Sequence, residues 1–307
     1  MDDASLRALL AKSVDYAGLF PPASLPLEIA LRNHATYVRD PDVWMLGAFI
    51  LPTNKFQDAG HSLAGFDVEH LLKISALGPT TSNPSDFVRG LNTTVETIRS
   101  FLAQYGATAV VTQIEMPLPT RSGATIEDAA AALGDSTLPV FWEAPADEAE
   151  RTIASIKAYN EAHGSDRFGF KLRTGGVIAS AFPSSIQIAR ALLAAVTHRV
   201  PIKFTAGLHH PVRQFHTSVQ TKMHGFLNVL GAGVFAAEHE WDLMQTARMI
   251  EDELESSFSF DKDFFTWRDW QVATERIPEH RKFITSFGSC SFDEPREDLT
   301  ALNFLYA

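Results

Sequence analysis

The run Phe168-Gly-Phe-Lys-Leu-Arg-Thr-Gly-Gly176 alternates bulky apolar residues with Gly169, Lys171 and Arg173. In an extended strand alternate side chains share a face, so Phe168, Phe170 and Leu172 lie on one side and both cations on the other. Further runs sort the same way: Ile202 and Phe204 oppose Lys203 and Thr205, while Gln113 and Glu115 share a face, as do Lys73 and Ser75. Val140-Phe-Trp-Glu adds Glu143. If helices cover the apolar faces, these polar faces turn into one interior, where an unpaired charge costs several kcal/mol of desolvation. A lysine attacks carbonyls when burial or a second cation lowers its pKa from about 10.4 toward neutrality. Lys171 and Lys203, on adjacent strands roughly 5 Å apart, supply both conditions. Glu115 and Glu143 are the nearest proton carriers. A structural network of lysine–glutamate pairs closing the interior is the alternative reading of the same set.

The elements that must position these groups are short apolar runs separated by longer segments of helical spacing, the pattern of parallel strands with crossover helices. Strands are expected at 17–20, 44–51, 71–76, 107–116, 138–143, 167–173, 200–205 and 226–230. Helices are expected at 25–38, 86–105, 126–133, 146–163, 184–197 and 241–256, with Ser184 as a cap and Gly106 and Gly164 as stops. Eight strands predict an α/β fold, a (β/α)8 TIM barrel over residues 1–257; an open doubly wound sheet is the alternative. Residues 258–307, rich in Phe and Trp, are expected to pack on the barrel as a lid or a plug within the same domain.

The 307 residues carry 26 Lys and Arg against 37 Asp and Glu, a net charge of -11, which opposes binding to nucleic acid. The first residues lack the basic start and apolar run of a signal peptide, and no run reaches the roughly 20 apolar residues of a membrane span. A cytoplasmic protein with a small-molecule substrate and no membrane partner is expected, and a homo-oligomer is left open. The one cysteine, Cys290, cannot form an internal disulfide and reads as structural.

Lys171-Leu-Arg-Thr-Gly175 and Lys203-Phe-Thr-Ala-Gly207 resemble, in order, the two lysine strands of deoxyribose-phosphate aldolase and its class I relatives. Gln113-Ile-Glu115-Met resembles the strand that brings their acidic proton-transfer residue. The resemblance implies a Schiff-base lyase in which Lys171 forms the imine, Lys203 tunes it and Glu115 is the acid/base. It covers about thirty residues in three pieces. Arg173 departs from a small hydroxyl position, and Leu208-His209-His210 replaces the family's glycine and phosphate-binding run, which puts a phosphorylated substrate in doubt. DYAGLFPPA, FKLRTGG, AGLHHPVR, HGFLNVL and FGSCSFDEP also resemble a family of uncharacterised bacterial proteins, a likeness that implies no activity.

Arg173 could clamp a substrate carboxylate or pair with Glu115 or Glu143. His209, His210, Gln113, Thr205, Asn228 and Asp15 complete the expected binding set, with Gly175-Gly176 and Gly231 as backbone contacts. No metal or other cofactor is favoured. The rival is a metal-dependent isomerase, epimerase or hydrolase on the same barrel, its divalent ion held by His209, His210, Glu115 and Glu143. Adjacent histidines on an extended chain diverge, so one of His209 and His210 faces any given ion. A small-molecule binding protein without turnover is the remaining alternative.

Overall fold

The computed structural model describes residues 3–119 and 125–305. The strands in chain order are β1 (Val14–Tyr16), β2 (Leu46–Pro52), β3 (Leu72–Leu77), β4 (Ala109–Pro117), β5 (Val140–Glu143), β6 (Phe168–Arg173) and β7 (Ile202–Thr205). They continue with β8 (Gln214–His216), β9 (Thr221–Met223), β10 (Phe258–Phe260), β11 (Phe264–Trp267), β12 (Trp270–Ala273) and β13 (Ile284–Ser289). Eight of them close a parallel barrel in the order β1-β13-β7-β6-β5-β4-β3-β2. The fold is a (β/α)8 barrel, as the alternation of apolar runs predicts.

Period-two sorting explains how the strands are turned. Phe168, Phe170, Leu172, Ile202 and Phe204 are fully buried against the surrounding helices, leaving Lys171 and Lys203 to the barrel interior. Helix Ser185–His198 begins at the cap expected at Ser184, which the structure completes as a capping box: the Ser184 and Gln187 side chains exchange hydrogen bonds with the backbone. This helix packs between helices Ala149–Ala162, Phe226–His239 and Leu243–Glu251. The segment Ala179–His198 is nevertheless long and apolar enough, by length and composition alone, to cross a membrane, contrary to the expectation that no run approaches that length.

Two strand assignments are corrected. The first barrel strand is Val14–Tyr16, not 17–20, which forms the turn after it. Residues 226–230 open the helix Phe226–His239 instead of the eighth strand. Every residue from Phe226 to Ala236 is buried, so an uninterrupted apolar run carries no periodicity to separate helix from strand. The eighth barrel strand is β13, from the segment expected as an extension; the boundary at residue 257 is therefore wrong, because the barrel closes only with residues 284–289.

What does pack outside the barrel is the antiparallel sheet β10-β11-β12. It covers the helix Phe226–His239: Phe265 meets Phe235 edge-on at 5.0 Å, and Trp267 meets Trp241 at 5.5 Å. Gly231 lies in this interface, where an added Cβ would collide with Met249 and press on Phe265. Its smallness serves packing, not ligand contact.

Candidate active site

Register brings the inward residues to one level. Glu143 pairs with Lys171 across β5 and β6, and Lys171 pairs with Lys203 across β6 and β7. Glu115, two residues before the register partner of Glu143 on β4, reaches both cations: Oε2 lies 2.7 Å from Lys171 Nζ and Oε1 lies 2.5 Å from Lys203 Nζ. Lys171 also stands 2.9 Å from Glu143, and Lys203 donates to Asp15 at 2.8 Å. The result is an alternating chain of charges, Asp15, Lys203, Glu115, Lys171 and Glu143, drawn from five strands.

Small residues and hydroxyls support it. Asp15 accepts from the Ala48 amide at 2.7 Å and from Ser286 Oγ at 2.7 Å, and a Cβ at Gly47 would collide with its carboxylate. Ser75 donates to Glu115 at 2.5 Å and receives Gln113 at 3.0 Å. The bare face of Gly169 makes room for the Phe141 ring, over which the Lys203 ammonium sits at 5.5 Å. The side chains of Lys203 and Glu115 are wholly buried, Lys171 is 5% exposed and Glu143 19%, so the chain opens to solvent at the Glu143 end.

Burial alone would raise the Glu115 pKa, but Lys171 and Lys203 outweigh it and hold the carboxylate ionised well below its usual range. Burial would lower both lysines, and here too the partners prevail: Glu115 and Glu143 raise Lys171, while Asp15 and Glu115 raise Lys203. This corrects the expectation that Lys203 lowers the pKa of Lys171. A carboxylate stands between the two, and both ammonium groups are favoured. Glu115 Oε2 is in direct ion-pair contact with the Lys171 ammonium, which places a carboxylate oxygen against the proton that lysine would have to lose.

Several expected residues lie elsewhere. Arg173 is exposed and donates to the Gly175 carbonyl at 3.0 Å, so it pairs with neither glutamate. Thr205 is partly buried at the rim, register partner of Arg173. Gly175 packs against the ring of Phe182 and against Gly207 and serves contact between loops. Lys73 is exposed near the start of β3, below a register shift between Ile74 and Ser75. Asn228 is fully buried on a helix, where it accepts from the Arg213 amide and donates to the Met249 and Asp252 carbonyls. It clamps backbone and leaves the binding set.

The expected metal set also comes apart. Glu115 and Glu143 are engaged by Lys171, whereas His209 and His210 do not diverge as an extended chain would make them: both turn to the helix Asp293–Ala301, meeting Glu294 at 3.2 Å and Asp298 at 2.6 Å. Burial would lower the His209 pKa, but hydrogen bonds with Cys290 and Glu294 raise it to about 9. Both histidines line a cavity of about 180 Å³ with Pro22, Gly176, His216 and Glu294. It lies over the C-terminal ends of the barrel strands, where barrel sites are built. The hollow lined by Arg199, Arg276 and Phe283 is larger, about 360 Å³, but sits at the opposite, N-terminal ends of β7 and β13. The sequence reading does not place Ser286 or Glu294 and takes Cys290 as structural, whereas Cys290 stands beside His209 at 3.8 Å. The run FGSCSFDEP held the signal, since an apolar strand ending in small and ionisable residues is what a barrel mouth uses.

No family model and no curated protein matches this chain. Among solved structures, it is similar to the apo form of 3-keto-D-glucoside 4-epimerase, YcjR, from E. coli, at 12% identity and a TM-score of 0.39, over 74% of this chain and 88% of that one. It is also similar to the catalytic domain of a hyperthermophilic chitinase from Pyrococcus furiosus, at 10% identity and a TM-score of 0.41, over 83% of this chain and 93% of that one.

Proposed function

We propose that this chain is a lyase of the aldolase type, acting on a small polar carbonyl or carboxylate compound through an imine at Lys171. The observation that carries the reading is the placement of Glu115: one carboxylate touches both inward lysines, with Oε2 against Lys171 and Oε1 against Lys203. Lys171 is an ammonium at rest, so it must lose a proton before it can attack. A carbonyl compound that displaces Glu143 removes one of the two attracting carboxylates, and burial then lowers the lysine pKa. Glu115 takes the proton; the transfer removes the Lys171 charge, one of the two cations that hold Glu115 ionised, and burial then favours its acid form. The free amine adds to the carbonyl carbon, and loss of water gives the imine.

The protonated imine then accepts the electron pair released when a bond to the adjacent carbon breaks, with Glu115 returning or removing the proton there. Lys203, wholly buried between Asp15 and Glu115, does not meet substrate and acts as a positioning residue that holds the Glu115 carboxylate. Glu143, at the open end, is the group that exchanges protons with the substrate oxygen. His209 and His210 line the cavity above and would hold the polar end of the molecule.

The test is borohydride reduction of the protein in the presence of a panel of small aldehydes, ketones and keto acids, followed by peptide mass mapping. A reduced adduct at Lys171, absent from Lys171→Met, is the expected result. No adduct with any compound, or an adduct that survives in the variant, rejects the imine.

A further inference from the structure

His209 Nδ1, Cys290 Sγ and a Glu294 carboxylate oxygen all lie within 4.8 Å of one another. His209 follows β7 and Cys290 follows β13, neighbouring strands of the barrel, while Glu294 stands on the helix Asp293–Ala301. The three ligand atoms thus meet at the barrel mouth from three separate stretches of chain. The thiol is 8% exposed, and the His209 and Glu294 side chains border the 180 Å³ cavity.

A histidine between a thiol and a carboxylate invites comparison with a nucleophile and its base. In such a relay the nucleophile and the orienting acid use opposite ring nitrogens. Here both approach the same one: Nδ1 is 3.8 Å from Cys290 Sγ and 3.2 Å from Glu294 Oε2. No relay across the ring is built this way. Convergence of sulfur, nitrogen and oxygen on one small volume is instead what a metal ion requires. With bond lengths of about 2.0 Å to nitrogen and oxygen and about 2.3 Å to sulfur, tetrahedral coordination sets N···O near ~3.3 Å and N···S near ~3.6 Å. The two pairs that share Nδ1 fall within a few tenths of an ångström of these values, and the sulfur and carboxylate oxygen lie within 4.8 Å of each other.

We infer that His209, Cys290 and Glu294 form a three-ligand site for a zinc-class divalent ion, with the fourth position open to the cavity at the barrel mouth. A thiolate and an imidazole select such an ion over magnesium or calcium, and three protein ligands with one free position mark sites that bind water or substrate. The inference does not rest on the imine reading, since Lys171, Lys203, Glu115 and Glu143 supply none of its ligands; only His209, at the cavity above them, is common to both.

The chain holds a single cysteine, so a thiolate-to-metal absorption band reports Cys290 and nothing else. Chelator-dialysed, untagged full-length protein is titrated with cobalt(II) under reducing conditions. The expected result is one cobalt per chain, with a thiolate-to-cobalt charge-transfer band in the near ultraviolet and visible bands of tetrahedral intensity. Zinc should bleach both and protect Cys290 from a thiol reagent. Glu294→Gln and His209→Ala should weaken cobalt binding by roughly tenfold or more, and Lys171→Met should leave it unchanged. No charge-transfer band in the folded wild type, or a Cys290 that zinc does not protect, overturns the site. The metal site is read from the cobalt bands and the imine from borohydride trapping at Lys171, so failure of one is told apart from failure of the other.

Discussion

Lys171 and Lys203 are register partners on β6 and β7 and share one carboxylate, each taking a different oxygen of Glu115. Two ammonium groups separated by a carboxylate attract where two adjacent ones would repel. The barrel interior can therefore hold both in the charged state, provided that no member of the chain is lost.

That condition predicts unequal costs for losing a lysine. Lys203→Met strands Asp15 and Glu115, whose side chains are 4% and 0% exposed, so water cannot replace the cation. Removing one partner of a buried pair costs about 3–5 kcal/mol. Lys171→Met leaves Glu143 near solvent at 19% exposure and should cost less. Urea denaturation gives the order directly. Pairing Lys203→Met with Asp15→Asn should recover part of the loss, with a coupling of roughly 0.5–3 kcal/mol; additive losses would mean that Lys203 and Asp15 do not stabilise one another.

How much of this was legible in the chain depends on what each inference required. The inward faces of β4, β5, β6 and β7 follow from alternation alone, because Phe168, Phe170 and Leu172 leave only one direction for Lys171. Which carboxylate meets which lysine does not follow, since it depends on strand register and on Glu115 standing one inward step below Glu143. The eighth strand was hidden twice over. The apolar run from Phe226 outcompeted it, and Ile284-Thr-Ser-Phe-Gly-Ser289 carries small polar residues where a barrel strand usually carries Val or Leu. Cys290, Glu294 and the helical setting of Asn228 were lost with that one assignment.

Glu115→Gln is predicted to shift the reactivity of Lys171 with pH. Glu115 is the largest of the attractions that raise the Lys171 pKa. Without its charge, burial and the remaining lysine push that pKa down. Reductive methylation of Lys171 by formaldehyde, followed by mass spectrometry across a pH series, should show its midpoint move to lower pH. A midpoint that stays in place would mean that Glu115 does not hold the lysine proton.

Gly47→Ala should act on Asp15 without touching a charge. The new methyl group would occupy the space of the Asp15 carboxylate, forcing it away from the Ala48 amide and from Lys203. The loss of a charge-assisted hydrogen bond costs about 1.5–3 kcal/mol, and Lys203 retains only Glu115. The thermal midpoint should fall, and Gly47→Ala in an Asp15→Ala background should cost clearly less than in the wild type. Equal costs in the two backgrounds would place the strain somewhere other than Asp15.

The protein should also lose stability in mild acid through two histidines outside the Asp15-to-Glu143 charge chain. His34 is wholly buried, stacked on Tyr16 at 5.9 Å, and burial, aided by the charge of Lys73, lowers its pKa from 6.5 to about 3. His224 is lowered to about 4 by burial, although its contact with the Pro183 carbonyl works the other way. Both rings are neutral in the folded chain and protonate more readily when it unfolds. The unfolded state thus binds more protons between about pH 6.5 and pH 3, and stability falls as pH drops through that window. For His34 alone the loss at pH 5, relative to neutral pH, is about 2 kcal/mol. His34→Phe keeps a ring among Tyr16, Phe49 and Phe66 and removes the titrating group, along with an Nδ1 that has no partner among the described residues. Urea midpoints at pH 8 and pH 5 should therefore lie closer together in the variant than in the wild type. If the interval is unchanged, His34 does not carry the acid sensitivity; the carboxylate pairs cannot supply it either, because they weaken only below the unfolded carboxylate range, near 4.5 for Glu115, outside this pH interval.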